Sequence, residues 1–147
     1  MDDVRFVEVA DEHTVADWQR IHNEVIPTDP LSLDDVLERS ARHRLEVAYV
    51  GTEAVGNSTV RRPTEDAGTM VIARVLPPYR RRGIGTVLFH RGLEVAVTWA
   101  DQRPVETVVL ETNEDGLAFA LTRGFVEVER YTLPGATIPY VALELRG

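Results

Sequence analysis

An apolar run from Thr69 to Leu76 meets a Pro77-Pro78 break, then Arg80-Arg81-Arg82-Gly83-Ile84-Gly85, and behind that loop a long stretch of helical periodicity begins. This succession of strand, glycine loop and helix limits the fold more than any other feature of the chain. The strand is apolar nearly throughout, as expected where both faces of a sheet are covered. Two glycines one residue apart reach backbone conformations closed to other residues, so that successive N–H groups can converge on one point. The helix behind adds unpaired amides and the positive end of its dipole. With three guanidiniums at its mouth, the segment predicts a cradle for a phosphate-like anion.

The rest of the composition narrows what such a cradle can serve. At 147 residues, with 44% apolar and 27% charged residues, the chain is expected to fold as a single domain, 1–147, around one core. A net charge of −8 disfavours a nucleic-acid partner, since the basic density is mostly the Arg80 to Arg82 cluster. An acidic body with one basic spot suits a small anionic ligand and, mildly, a cationic co-substrate. No apolar run approaches the roughly 20 residues of a membrane helix, and Met1-Asp2-Asp3 is the wrong start for a signal peptide, so a cytoplasmic protein without a membrane partner is expected. Absence of cysteine excludes disulfides, thiolate zinc sites and a cysteine nucleophile. All 16 basic residues are arginine, which removes the P-loop and Schiff-base lysines. His13, His22, His43 and His90 are isolated, and no metal site is expected from them.

Along the chain, Val4 to Ala10 alternates as a first strand, and Thr14 with Asp17 reads as a capping box for a helix carrying Val15, Trp18, Ile21 and Val25 that stops at Pro27. Ser32 and Asp35 cap a second helix to about His43. Leu45 to Val50, a Gly51-Thr52 turn and Ala54 to Arg62 form a hairpin, and Thr69 to Leu76 is the next strand. From Ile84 the stripe Ile84, Leu88, Val95 and Trp99 marks a helix of about four turns, and Trp18 and Trp99 are both expected in the core. Strand Val105 to Thr112, a helix over about Glu114 to Thr122 with Gly124 as its left-handed terminator, and strands Phe125 to Leu133 and Tyr140 to Arg146 complete the chain. The order β-α-α-β-β-β-α-β-α-β-β predicts an α/β fold with a mixed, mostly antiparallel sheet of six to seven strands and helices on both faces.

The strand, the proline turn and Arg80-Arg81-Arg82-Gly83-Ile84-Gly85 resemble the signature of the GNAT superfamily of N-acetyltransferases: Arg or Gln, two residues, Gly, one residue, Gly or Ala. Asn113 and Gly124-Phe125 are similar to that family's second cofactor segment, and together the two segments cover roughly residues 69 to 125. The resemblance implies the GNAT fold and transfer of an acetyl group from acetyl-coenzyme A directly to an amine of a small-molecule or peptide acceptor. It implies that Arg80, Arg81, Arg82, Gly83, Ile84, Gly85 and Thr86 hold the pyrophosphate, with Asn113 in the second segment. Backbone amides of Ala73 and Val75 would take the pantetheine arm, and the Val75 N–H would polarise the thioester carbonyl. It also raises the expectation of a homodimer. Where many members carry a tyrosine that protonates the departing thiolate, this chain has Ala120. For a general base, Glu24, Asp29, Glu106 and Glu111 are the candidates, Glu24 first, because the family's first helix borders the acceptor site. Tyr131 and Tyr140 can reach that site if the last two strands line it. Two alternatives accompany the enzyme reading: a non-catalytic acyl-coenzyme A-binding module, and one lobe of a tandem acetyltransferase.

Overall fold

The computed structural model describes residues 3–146, so Met1 and Asp2 of the acidic start and Gly147 lie outside the described residues. Strand β1 (Val4–Glu8) is followed by helices α1 (Glu12–Val25) and α2 (Leu33–Arg42), strands β2 (Arg44–Val50), β3 (Glu53–Arg61) and β4 (Thr69–Val75), a 3₁₀ turn (Pro77–Tyr79), α3 (Ile84–Trp99), β5 (Val105–Leu110), α4 (Glu114–Thr122), β6 (Phe125–Tyr131) and β7 (Tyr140–Leu145). The strands form one seven-stranded sheet in the order β1-β2-β3-β4-β5-β7-β6. Every neighbouring pair is antiparallel except β4 and β5. The expected element order and class are therefore present. No helix among the described residues is long and apolar enough to cross a membrane.

That single parallel pair is the feature that positions the site. Strands β4 and β5 are in register only at Thr69 with Val105 and Met70 with Glu106. Beyond Met70 they diverge, while β4 stays fully paired with β3 as far as Val75. Antiparallel ladders alternate which side each N–H faces. The Leu76 amide donates to the Val55 carbonyl on β3 at 2.8 Å, which fixes the phase of the ladder. In that phase the amides of Ala73 and Val75 face away from β3, into the gap left by β5.

Two core clusters clamp the sheet. On one face Val15, Trp18 and Ile21 of α1 and Val36 of α2 pack on Leu45 and Val47. The Trp18 indole donates to the Ser58 carbonyl at 3.0 Å, and the Asn57 amide donates to the Trp18 carbonyl at 3.1 Å, so α1 is bolted to β3 by buried polar bonds as well as by area. On the other face Phe89 of α3 meets Phe119 of α4 and Phe125 of β6 edge-on, with ring centroids 5.2 and 5.6 Å apart.

Several expected details change. Helix α1 begins earlier than the Thr14 cap assigned to it, because Asp11 is the cap: its carboxylate accepts from the Thr14 amide at 2.8 Å while the Thr14 hydroxyl accepts from the Asp11 amide at 3.1 Å. The Ser32–Asp35 box on α2 is present as expected. On α3 the fully buried stripe is Ile84, Leu88, Phe89, Gly92 and Ala96, whereas Val95 and Trp99 are half-buried. Gly92 leaves no room for a side chain against the sheet, since a Cβ on it would stand 2.8 Å from Val71 Cγ1. Trp99 is instead roofed by the Arg62 guanidinium at 4.0 Å from its ring. The strands expected to reach Ala10, Thr112 and Leu133 stop at Glu8, Leu110 and Tyr131, the last two opposite Tyr140, where β7 begins.

Candidate active site

The gap between β4 and β5 opens into a cavity of about 400 Å³. Its walls are Ala73 and Val75 on one strand, Thr107 to Leu110 on the other, the glycine loop at one end and Asn113 with Phe119 and Ala120 across it. Arg81 and Gly83 both adopt left-handed backbone conformations, at φ of 65° and 83°. Gly83 is the N-cap of α3 and supplies no side chain to cap it. The first amides of an α-helix have no intrahelical acceptor, so those of α3 are open to a ligand at the loop. A Cβ built on Gly83 would meet no protein atom within 4 Å, so the space above it is free for that ligand.

The three loop arginines separate. The Arg80 Nε donates to the Val75 carbonyl at 2.8 Å, fastening the loop to the end of β4. Arg81 reaches Asp115 on α4 at 3.1 Å, through two exposed side chains, and so spans the cavity mouth. Arg82 turns away and lies 5.2 Å from the Tyr79 ring centroid, outside the lining. The mouth thus carries two guanidiniums rather than three, because Tyr79 offers Arg82 a closer partner. Ile84 is also outside the lining, its side chain 4% exposed in the core beneath the loop, whereas Gly85 and Thr86 line the cavity.

Asn113 is both lining residue and helix cap. Its Oδ1 accepts from the Gly116 amide at 2.9 Å, which leaves the Nδ2 donors for other partners. Ala120, 2% exposed, presents only a methyl group. Of the carboxylates considered as bases, Glu24 lies on the exposed side of α1 in a salt bridge with Arg20 at 3.4 Å and lines no described cavity. Glu106 accepts from the Gly68 amide at 2.6 Å, holding the start of β4, and Glu111 pairs with Arg130 at 2.9 Å. This first cavity therefore has Asp115 as its one carboxylate among the described residues, and that group is paired.

A second cavity of about 140 Å³ adjoins the first, sharing Ile26, Ile72, Arg74, Val108 and Tyr140 with it. It opens on the α1 side of the sheet and contains Arg39 of α2, Arg61 of β3 and Arg74 of β4. Burial, with Arg61 and Arg39 beside it, pushes the Arg74 guanidinium down to about 10. Burial, with Arg39 and Arg42 beside it, lowers Arg61 as well. Tyr131 and Tyr140 stack at 5.7 Å along one wall. Burial lowers His22, whose Nε2 lies 2.9 Å from the Asp29 carbonyl while its buried Nδ1 has no partner. Asp29 is thus the one early carboxylate candidate that borders this second cavity.

The sequence reading did not assign Arg39, Arg61 and Arg74 to any site. One signal was available: Arg74 interrupts a strand otherwise read as covered on both faces, and an arginine there needs a polar destination.

The sequence profile of the acetyltransferase (GNAT) family matches residues 8–125 of the chain. No curated protein sequence gives a significant match. Among solved structures, the chain is similar to an N-acetyltransferase from Staphylococcus aureus, at 13% identity and a TM-score of 0.79 over 97% of this chain and 98% of that one. It is similar to NAA60 of Arabidopsis thaliana in complex with acetyl-CoA, at 16% identity and a TM-score of 0.75 over 97% of each chain. A GNAT-family acetyltransferase from Streptococcus pneumoniae has 13% identity and a TM-score of 0.73 over 98% of this chain and 100% of that one. At these identities the likeness is one of fold.

Proposed function

The chain belongs to the GNAT acetyltransferase family, and on that premise we propose that it transfers an acetyl group from acetyl-coenzyme A directly to the amine of a small molecule. The observation that carries this reading is the gap after Met70, where two outward amides of β4 lead to an uncapped helix start. A diphosphate fits at the loop because the position a Cβ would occupy on Gly83 is free and the helix amides behind it lack acceptors. Backbone N–H groups from Arg81 to Thr86 would hold it, with the Arg80 and Arg81 side chains at its flank and Asn113 opposite. Ala73 and Val75 would hold the pantetheine arm by strand-like hydrogen bonds.

When bound, the cofactor supplies an acetyl group as a thioester, whose carbonyl carbon accepts an amine nitrogen while the carbon–sulfur bond breaks. The Val75 N–H, directed into the gap, would stabilise the negative charge growing on the acyl oxygen, an effect worth about 3 kcal/mol for a preorganised donor. The amine must arrive without its extra proton. A dedicated carboxylate base is not required for that here, because the guanidiniums of Arg39, Arg61 and Arg74 disfavour a nearby ammonium and lower its pKa. This electrostatic role replaces the one expected of Glu24, whose exposed salt bridge points it to solvent. Tyr140, the tyrosine that lines the first cavity, would give its Oη proton to the departing sulfur in place of the tyrosine absent at Ala120, and the proton that the nitrogen sheds as the amide forms would return to the phenolate through solvent. A thiol of pKa near about 8.5 leaves tolerably as the anion, so the proton assists rather than decides. A cytoplasmic setting, and a homodimer detectable by size-exclusion chromatography, are parts of the same proposal.

Titration calorimetry with coenzyme A, joined to a thiol-release assay with acetyl-coenzyme A and a panel of amines, tests this reading. Micromolar or tighter binding together with acceptor-dependent thiol release is the expected result. Binding with no release from any amine would instead favour an acyl-coenzyme A-binding module.

A further inference from the structure

The second cavity has a charge that the chain as a whole does not. Its lining brings together three guanidiniums, from Arg39, Arg61 and Arg74, against the single carboxylate of Asp29. Other arginines have carboxylate partners: Arg44 and Arg91 both hold Glu46 at 2.8 Å, and Arg130 holds Glu111 and Glu127. Among the described residues, Arg39, Arg61 and Arg74 make no salt bridge and donate no side-chain hydrogen bond, although Asp35 and Asp29 lie within electrostatic reach. Like charges gathered in a partly buried pocket repel one another and lose hydration, and the lowered pKa of Arg74 is the mark of both costs. Such an arrangement persists where a bound anion offsets it.

We propose that the acceptor is an amine that also carries an oxyanionic group, a carboxylate or a phosphonate, seated against Arg39, Arg61 and Arg74. The proposal rests on the acetyltransferase reading and specifies the substrate class of that same site. Its geometry follows from the sheet register. Arg74 lies opposite Asn57 and Arg61 opposite Met70, so the two arginines stand on the α1 face of adjacent strands with Thr59 and Ile72 between them. Arg39 closes the group from α2. Arg74 is common to both cavities, so an anion held on it sets the rest of the acceptor beside the gap into which the Val75 amide points. A guanidinium presents parallel N–H donors that match an oxyanion in a bidentate way, which a lone ammonium on the acceptor cannot exploit. A volume near 140 Å³ suits a small amino acid rather than a long chain. The cationic co-substrate that the net charge of −8 favoured is thereby reversed at the site itself.

The test uses the whole chain with acetyl-coenzyme A and small L-amino acids, each compared with its amide, its decarboxylated amine and its aminophosphonate counterpart. The expected result is a kcat/KM for the carboxylate or the phosphonate at least tenfold above the amide and the plain amine. Whichever of the two anions is preferred names the ligand. Arg61→Gln, on a residue that lines only the second cavity, should collapse that preference while coenzyme A still binds, which reports that the variant is folded. Arg74→Lys should recover part of what Arg74→Gln loses. Amides and plain amines acetylated as well as the acids would overturn the proposal and leave the transferase reading standing. Titration of N-acetylated amino acids in the presence of coenzyme A needs no turnover. Binding that depends on Arg61, with no thiol release from any amine, would keep the anion seat and remove the catalysis. Absence of that binding, together with no preference for acids, removes the seat.

Discussion

The two cavities that meet at Arg74 are made of different material. The first, where we place acetyl-coenzyme A, is built mainly from backbone: amides of Ala73 and Val75 left over when β5 departs, left-handed turns at Arg81 and Gly83, and the open first turn of α3. The second, where we place the acceptor, is built from side chains, three arginines and two tyrosines contributed by α2, β3, β4, β6 and β7. Backbone donors recognise what every molecule of one cofactor shares, and tolerate substitution of most side chains around them. Side-chain donors set which acceptor is accepted, and each can be exchanged without disturbing the sheet. The same contrast states how each half can be broken.

The largest effect is expected at Gly83. A Cβ there meets no protein atom within 4 Å, so the substitution starts in open space, but the φ of 83° costs a β-branched residue about 1–2 kcal/mol and the side chain occupies the ligand's space. Coenzyme A affinity in calorimetry should fall at least tenfold, about 1.4 kcal/mol, while the variant keeps its fold by circular dichroism. An unchanged Kd would mean that the cavity is not held by backbone at this loop, and the comparison would fail on its donor side.

Tyr140 tests the wall that the two cavities share. Tyr140→Phe removes one hydroxyl and should lower kcat roughly fivefold, below the usual range for a lost general acid, because a thiolate is a good leaving group. Ala120→Tyr, which brings a phenol to the place from which the resembled family supplies one, should restore most of that loss in the double variant. A kcat indifferent to Tyr140→Phe would assign Tyr140 to the acceptor wall alone.

The contrast in material also explains what could be read from sequence. Glycine at set spacing after an apolar strand is visible because few residues can replace it, and Asn113 with Gly124-Phe125 is visible for a related reason: a cap and a left-handed terminator leave residue-type signatures. Gly124 does adopt φ of 91°. The acceptor arginines carry no such signature. Arg39, Arg61 and Arg74 lie on three elements, and only the β3–β4 register and the cavity that α2 also borders unite them. The point at which β4 and β5 part is equally silent, since Val71 to Ala73 on one strand and Thr107 to Leu110 on the other read as ordinary strand residues. On α3 bulk is a poor guide to burial, because Gly92 packs where a Cβ would clash with Val71 while Val95 and Trp99 are half-buried. At Asp11 a better cap one turn upstream competes with Thr14 and wins by also accepting the Thr14 amide.

The smallest effect is expected at Asn113, the residue that belongs to both kinds of construction. Its Oδ1 satisfies the Gly116 amide at the start of α4, and the residue lines a cavity whose donors are mainly backbone N–H groups. Asn113→Ala removes both contributions. Loss of the cap should cost about 1 kcal/mol of stability, seen as a Tm lower by a few degrees. Loss of one neutral side-chain donor among many backbone donors should weaken coenzyme A binding only two- to threefold, within the range of a single net hydrogen bond. Asn113→Asp separates the two roles, because a carboxylate keeps the cap and improves it at a helix N-terminus, yet presents no N–H to the ligand. The aspartate variant should therefore regain the Tm and not the affinity. If it regains both, Asn113 acts on the ligand only by holding α4 in place, and the first cavity is more purely a backbone device than its lining suggests.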